Sequence, residues 1–368
     1  MSRELIGFAI IAVICIILTP FYQVEQPKKE IVVIEKKIPE SSMIQAKSSK
    51  TIILLTDNFL PTTFAGSEIS AYETIKYLRS RGHKICIFVN NWKVDEYDGF
   101  KIYKYDKNIS FCKSEILNAD IILFQMHDKL ENLEIIRQRD TPVYLFIHMV
   151  NSYSWILQQR VPFDVFVIYN SHMTQDTLPT LHSNMRMIPY VDTNKLKGLR
   201  QTTINNDIVC LINCNENKGG NMLKRLAEKM PDVQFMGVKG GYSSQVVVSN
   251  LQNLTYIENQ KDIITVFKQI GILIMPSKNE TWGRTAVEAM TAGVPVIHSE
   301  SPGLVECVGG AGIMCMHDDE NAWENSIRKL IGDRAYREHL RQYGFKRVVE
   351  IEIEQTRGRQ ELAMKIEN

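Results

Sequence analysis

The chain lacks the marks of several protein classes. Its formal net charge is only +1 over 368 residues, so no global field draws it to nucleic acid. No long basic run or basic–aromatic stripe marks an RNA or DNA groove. Seven cysteines, an odd number in a long chain, exclude a disulfide scaffold. Cys210 and Cys214 have no second Cys/His pair at zinc-ligand spacing. Cys86, in Lys-Ile-Cys-Ile-Phe-Val, and Cys210, in Ile-Val-Cys-Leu-Ile, read as small apolar core residues. No Asp-x-Asp element is present, and nothing repeats at a solenoid period. What remains is an ordinary globular composition, 44% hydrophobic and 23% charged, with length for about two domains.

One long uncharged run is present. Residues 5–22 read LIGFAIIAVICIILTPFY, just long enough to cross a hydrocarbon core. The run is long for a signal-peptide core and no small-x-small cleavage site follows, so it reads as a retained single-pass anchor. The lysines at 28, 29, 36 and 37 outnumber Arg3 on the other side, which favours a cytoplasmic body. Three sequons, at Asn108, Asn253 and Asn279, would be acceptors in a secretory lumen. The third lies inside the best active-site candidate, which also favours the cytoplasmic side. Residues 23–50 are rich in Lys, Glu, Pro, Ser and Gln without apolar periodicity, and read as a flexible stem.

From Thr51 onward, short apolar runs alternate with amphipathic helices. Strands are expected at 51–56, 84–89, 121–125, 143–148 and 165–170, with a helix over 67–81 that stops at Gly82. A polar stretch over 193–207 interrupts the pattern and reads as an interdomain linker. The alternation restarts with strands at 208–212, 233–236, 272–275 and 294–297 and helices at 219–230, 263–270 and 285–292. Strands alternating with helices predict parallel sheets covered on both faces. The expected domains are thus 1–22 anchor, 23–50 stem, 51–200 and 201–345 two Rossmann-like α/β domains facing a cleft, and 346–368 a helical tail. In such sheets ligands bind beyond the C-terminal strand ends.

The informative segment is MPSKNETWGRTAVEAMTAGVPVI, residues 275–297. A strand ends at Pro276-Ser277, a polar loop carries Glu280, and a helix starts near Trp282-Gly283. The first N–H groups of that helix lack intrahelical partners and suit an anion. Gly283 is expected to let a ligand approach the backbone. Glu280 can accept from sugar hydroxyls, and Glu288 from a vicinal diol such as a ribose. Two glutamates at this spacing, taken alone, read as a helix N-cap neighbour, Glu280, and a solvated helix residue, Glu288.

The residues around them change the reading. The frame Pro-Ser…Glu280-Thr-Trp-Gly…Glu288-Ala-Met-x-x-Gly-x-Pro-Val-Ile resembles the donor motif of retaining GT-B glycosyltransferases, specifically glycosyltransferase family four (glycosyl transferases group 1). The resemblance implies that Glu280 contacts the transferred sugar, Glu288 the nucleotide ribose, and the backbone at Thr281, Trp282 and Gly283 the donor sugar and phosphate. A second resemblance lies in LINCNENKGG, residues 211–220. Lys218 stands where the family has a diphosphate-binding Lys, and Asn213 replaces the family's Arg. In the amino-terminal half, Ala65-Gly66-Ser67-Glu68 resembles the family's Gly-Gly-x-Glu turn, with Gly66 the residue free to take unusual dihedrals. His148, ending a strand, lies where related enzymes contact the donor sugar. A His in apolar sequence is also often a satisfied core residue. His172 and His298 carry weaker signals, and Asp192 reads as a linker residue.

The resemblance further implies a hexosyltransferase with the GT-B fold. It would use a UDP- or GDP-linked sugar as substrate, with no cofactor and no bound metal. The acceptor would be a glycan, a lipid-linked molecule or a protein. Retention of configuration belongs to the same implication. A catalytically silent nucleotide-sugar or glycan-binding membrane protein, and a sugar-nucleotide epimerase sharing the fold, are the alternatives. The anchor counts against the epimerase, which needs none.

Overall fold

The computed structural model describes residues 48–105, 109–126, 141–150, 157–158, 164–200, 206–241 and 243–368. The expected anchor at 5–22 and nearly all of the expected stem lie outside these residues. Among the described residues no helix is long and apolar enough to cross a membrane.

Two sheets organise the chain. The first contains β1 (Thr51–Thr56), β2 (Lys84–Val89), β3 (Glu96–Tyr97), β4 (Phe100–Lys104), β5 (Ile121–Phe124), β6 (Val143–Ile147), β7 (Val165–Tyr169) and β8 (Ser183–Arg186). Their order is β3-β4-β2-β1-β5-β6-β7-β8, parallel throughout except for the β3–β4 pair. The second contains β9 (Val209–Ile212), β10 (Phe235–Val238), β11 (Leu254–Ile257), β12 (Ile272–Met275), β13 (Val296–Ser299) and β14 (Ile313–Cys315). It runs β11-β10-β9-β12-β13-β14, all parallel. The aliphatic strands read as continuous runs because both faces of each sheet are covered. Separate apolar clusters fill the two faces of the first sheet and of the second.

The helices are α1 (Gly66–Ser80), α2 (Ile109–Asn118), α3 (His172–Thr177), α4 (Asn194–Lys197), α5 (Gly220–Lys229), α6 (Ile264–Phe267), α7 (Arg284–Ala292), α8 (Pro302–Val308), α9 (Glu320–Gly332) and α10 (Arg334–Glu367). The two glycines expected to stop helices do so from the left-handed region, Gly82 at φ +99° and Gly293 at φ +77°.

Four expectations differ from the structure by two residues or more, the first being the strand expected at 294–297, which is β13 at Val296–Ser299. The strand expected at 233–236 is β10, two residues later. Gly237, which discourages a strand on composition, is there because a Cβ would come within 2.6 Å of the Tyr256 ring on the neighbouring strand. The helix expected over 263–270 is a single turn, α6. Asp262 Oδ1 accepts the Ile264 N–H at 3.1 Å to start it, and the Gly271 N–H is already bonded to Ile208 O at 2.9 Å, turning the chain into β12. Residues 346–368, expected as a separate tail, form the second half of α10. That 34-residue helix packs Val348 and Ile351 on the second sheet's core and Leu362, Ala363 and Ile366 on the first sheet's core. Arg81 fixes its end through two bonds to Glu367, at 2.5 and 2.7 Å. The carboxyl-terminal residues therefore belong to the first lobe in space, a long-range contact that local periodicity does not encode.

Candidate active site

The strands of the second lobe end at two polar loops. After β9, Asn215 caps a single 3-10 turn, Glu216–Lys218, with its side chain accepting the Lys218 N–H at 2.9 Å. Gly219 then takes φ +97° to start α5. A Cβ there would overlap the Pro276 ring, so the turn sits directly against the loop after β12. The Lys278 N–H bonds Asn217 O across the same junction at 3.0 Å. This contact brings Lys218 and Glu280 together, 62 residues apart in the chain, as a hydrogen-bonded ion pair with side chains 31% and 14% exposed. The backbone of Glu280 is held separately. Ser301 Oγ accepts its N–H at 2.7 Å, and the Gly303 N–H donates to its carbonyl at 3.2 Å.

Helix starts give this edge a positive field. Among described helices of nine residues or more whose N-caps are described, α1, α5 and α7 follow β1, β9 and β12 and have no side-chain cap. Helix α9, which follows the edge strand β14, is capped by Asp319, and α10, which follows α9, by Asp333. Uncapped first-turn N–H groups carry the positive end of the helix dipole and accept anions. Those of α5 and α7 lie at the second lobe's strand ends, with Lys218 beside one, and α1 starts at the first lobe's edge.

Within α7, Glu288 is 8% exposed and pairs with Arg284 one turn earlier at 3.0 Å. Burial raises its carboxyl above the ordinary range, and the guanidinium pulls the other way. Arg284 also donates to Tyr190 O in the hinge, tying the helix to the connection between lobes. Glu280 and Glu288 therefore sit in different settings, one ion-paired at the loop and one buried in the first turns of α7.

On the facing edge of the first lobe Asp57 follows β1 and Glu68 lies in the first turn of α1, while the groups around His148 are uncharged. Gln125 Nε2 donates to Ser67 O at 3.3 Å, so its Oε1 is free to accept from His148 Nε2–H at 2.8 Å. Burial pushes His148 down to about 4, which keeps the ring uncharged at neutral pH. The two lobes meet at Thr281. Its hydroxyl donates to His148 O at 2.8 Å and accepts from Asn170 Nδ2 at 3.1 Å.

Several sequence-selected residues are placed differently from expectation. Gly283 caps α7 at φ −105°, and its missing Cβ leaves room for Leu304, whose Cδ2 would lie 2.7 Å away. That space is filled by α8 packing and is not open to a ligand. The Trp282 side chain is 4% exposed and belongs to the second lobe's core, so only its backbone is available at the loop. Gly66 lies in the first turn of α1 with a helical backbone and not an unusual one, and no atom would meet a Cβ there within 4 Å. Asn213 has φ +72°, a conformation that Asn tolerates far better than a long side chain. Its amide packs on Gly240, accepts from the Asn215 N–H and Gln245 Nε2 at 3.4 Å each, and stays near the β10 loop. Of the weaker candidates, His298 is buried and bonds Ser299 O at 2.8 Å. Asp192 accepts the Asn194 N–H at 3.2 Å, a linker role.

The comparisons with known proteins bear on this edge. Residues 247–347 match the family model for glycosyl transferases group 1. The match includes Glu280, Glu288 and the whole of α7 and α8; Lys218 lies before it. An 81-residue stretch is 35% identical to D-inositol 3-phosphate glycosyltransferase of Stackebrandtia nassauensis, covering 22% of this chain and 18% of that protein. A 108-residue stretch is 29% identical to the capsular polysaccharide biosynthesis glycosyltransferase CapM of Staphylococcus aureus, covering 29% and 28% respectively. The aligned stretches thus span less than a third of these curated relatives. The likeness to solved structures is broader. The Anabaena HepE structure in complex with UDP-glucose superposes with a TM-score of 0.66 at 18% identity, over 86% of this chain and all of that one. At that identity the likeness shows the fold, which is the two-lobed GT-B arrangement of parallel sheets.

Two polar residues of this edge, Arg284 and Gln125, are not among those singled out from the sequence. Arg284 was legible, since Arg and Glu four apart on a helix face each other. Gln125 was not, because its partners Ser67 and His148 are distant in the chain.

Proposed function

We propose that the chain is a glycosyltransferase that moves a sugar from a UDP- or GDP-linked donor, with retention of configuration and no bound metal. The acceptor class is a glycan, a lipid-linked molecule or a protein. The observation that carries the reading is the Lys218–Glu280 pair beside the uncapped starts of α5 and α7, with Glu280 inside the segment that matches glycosyl transferases group 1. In the reaction the bond between the anomeric carbon and the diphosphate oxygen breaks, and the acceptor oxygen bonds to that carbon. The acceptor's proton passes to the departing diphosphate. Lys218 and the helix N-termini would stabilise the charge developing on that leaving group, which is electrostatic catalysis by preorganised donors. Glu280, freed from Lys218 as the diphosphate takes its place, would accept from the sugar hydroxyls. Glu288 would receive the ribose diol. The uncharged His148, its Nε2–H given to Gln125, would place no charge beside the donor. The apolar run at 5–22 would hold the enzyme at a membrane, with the body on the cytoplasmic side.

One observation favours a second reading. Asn213 is turned onto Gly240, leaving a single lysine at the diphosphate position, as a silent nucleotide-sugar binder would tolerate. Turnover separates the two. The full chain is incubated with UDP-glucose, UDP-N-acetylglucosamine and GDP-mannose, and nucleoside diphosphate release is followed. Release that drops by about 100-fold in Glu280→Gln supports the transferase, and the anomeric coupling of the product by NMR reads retention. Binding without release supports the silent protein.

A further inference from the structure

We infer that Glu306 is a positioning residue that holds the two lobes in the registration the donor site requires; this rests on the proposed transferase reading. Glu306 belongs to α8 in the second lobe, yet its carboxylate is spent on the first. Oε1 accepts the His172 N–H at 3.0 Å and Oε2 the Met173 N–H at 3.3 Å. Arg186, on β8, donates to Oε1 at 3.2 Å. The side chain is only 16% exposed, so these charge-assisted bonds are partly shielded from water, where they are stronger than surface pairs.

Both ends of this contact lead back to the Glu280 loop. On the second-lobe side, α8 begins at Ser301 and Gly303, the residues that hold the Glu280 backbone. Arg347 of α10 grips the other end of α8, donating to Glu306 O and Cys307 O at 2.9 Å each. On the first-lobe side, α3 is capped by Ser171, and the preceding residue is Asn170, whose amide reaches Thr281 Oγ1. The bonds therefore close a circuit from Glu280 through Gly303, Glu306, α3, Asn170 and Thr281 back to Glu280. A displacement at Glu306 moves α3 against α8 and is transmitted to the Thr281 bonds with His148 and Asn170. Lys218 and Glu288, proposed to hold the diphosphate and the ribose, are on the second lobe and are not themselves links of that circuit.

A kinetic split follows. Glu306→Gln keeps the shape and one acceptor but loses the charge. The expected result is a kcat lower by about 10- to 100-fold, as for a misplacement on the order of 1 Å, with UDP and GDP affinity within about twofold of wild type. Glu354→Gln is the control. It removes the other carboxylate on Arg186, 2.8 Å away, without touching α3, and should leave kcat within about twofold. Small-angle scattering gives a readout independent of turnover, and Glu306→Gln should broaden the distance distribution of the unliganded chain. An unchanged kcat and an unchanged distribution would each overturn the positioning role, as would an equal loss in Glu354→Gln. A wild type that binds neither nucleotide would instead defeat the transferase reading, and the scattering would still decide the lobe contact.

Discussion

The two strand edges that face each other are built on the same parallel plan but hold their polar groups by different means. On the second lobe the groups are charged and paired, Lys218 with Glu280 and Arg284 with Glu288. On the first lobe Asp57 and Glu68 lie at the β1 end, but the groups that lead to Thr281 are neutral amides, a hydroxyl-capped helix and an uncharged imidazole, linked as Gln125, His148, Asn170 and Ser171. The difference teaches a division of labour. Paired charges neutralise each other while the site is empty and can be exchanged for those of an anionic ligand. A neutral network has no charge to exchange, so it fixes geometry at modest cost in desolvation.

Removing one member of a charged pair should therefore cost far more than removing one member of the neutral network. The largest effect on stability is expected at Arg284→Gln. It leaves Glu288 buried without its cation, and unfolding by urea should show a loss of about 3 kcal/mol. Adding Glu288→Gln should recover most of that loss. A cost under about 1 kcal/mol would mean that the pair is solvated enough to be dispensable.

A smaller effect separates the neutral edge, and it appears as pH dependence. Burial pushes His148 down to about 4 from the ordinary value near 6.5. Between those two values the unfolded chain binds a proton that the folded chain excludes, so stability falls as pH drops from about 6.5 to 4. His148→Gln should flatten that part of the urea-midpoint profile relative to wild type. The comparison with the variant matters because His83 and His298 are shifted the same way by burial. An identical slope in the variant would place His148 outside the buried network.

How much of this was legible depends on the range of the contacts. Alternating runs revealed the parallel sheets, and Gly82 and Gly293 marked helix ends because a positive φ is a local demand. The Glu280 loop was legible because strand end, loop and helix start are consecutive. Gly283 was misread, since its neighbour Leu304 arrives from another helix, and a missing Cβ looks the same whether ligand or side chain fills the space. Glu306 carried no local signal, its partners lying 134, 133 and 120 residues away. Asn213 was seen as the loss of a cation, but its left-handed backbone, which a long side chain fits poorly, appears only in three dimensions.

Whether the charged edge is a nucleotide-sugar site is decided by calorimetric titration of UDP and GDP into the full chain and into Lys218→Ala. One nucleotide should bind the wild type, and the variant should lose at least about tenfold in affinity, the worth of one charge-assisted contact to phosphate. Equal binding by both proteins, or no binding of either nucleotide to folded wild type, would contradict a nucleotide-sugar site there.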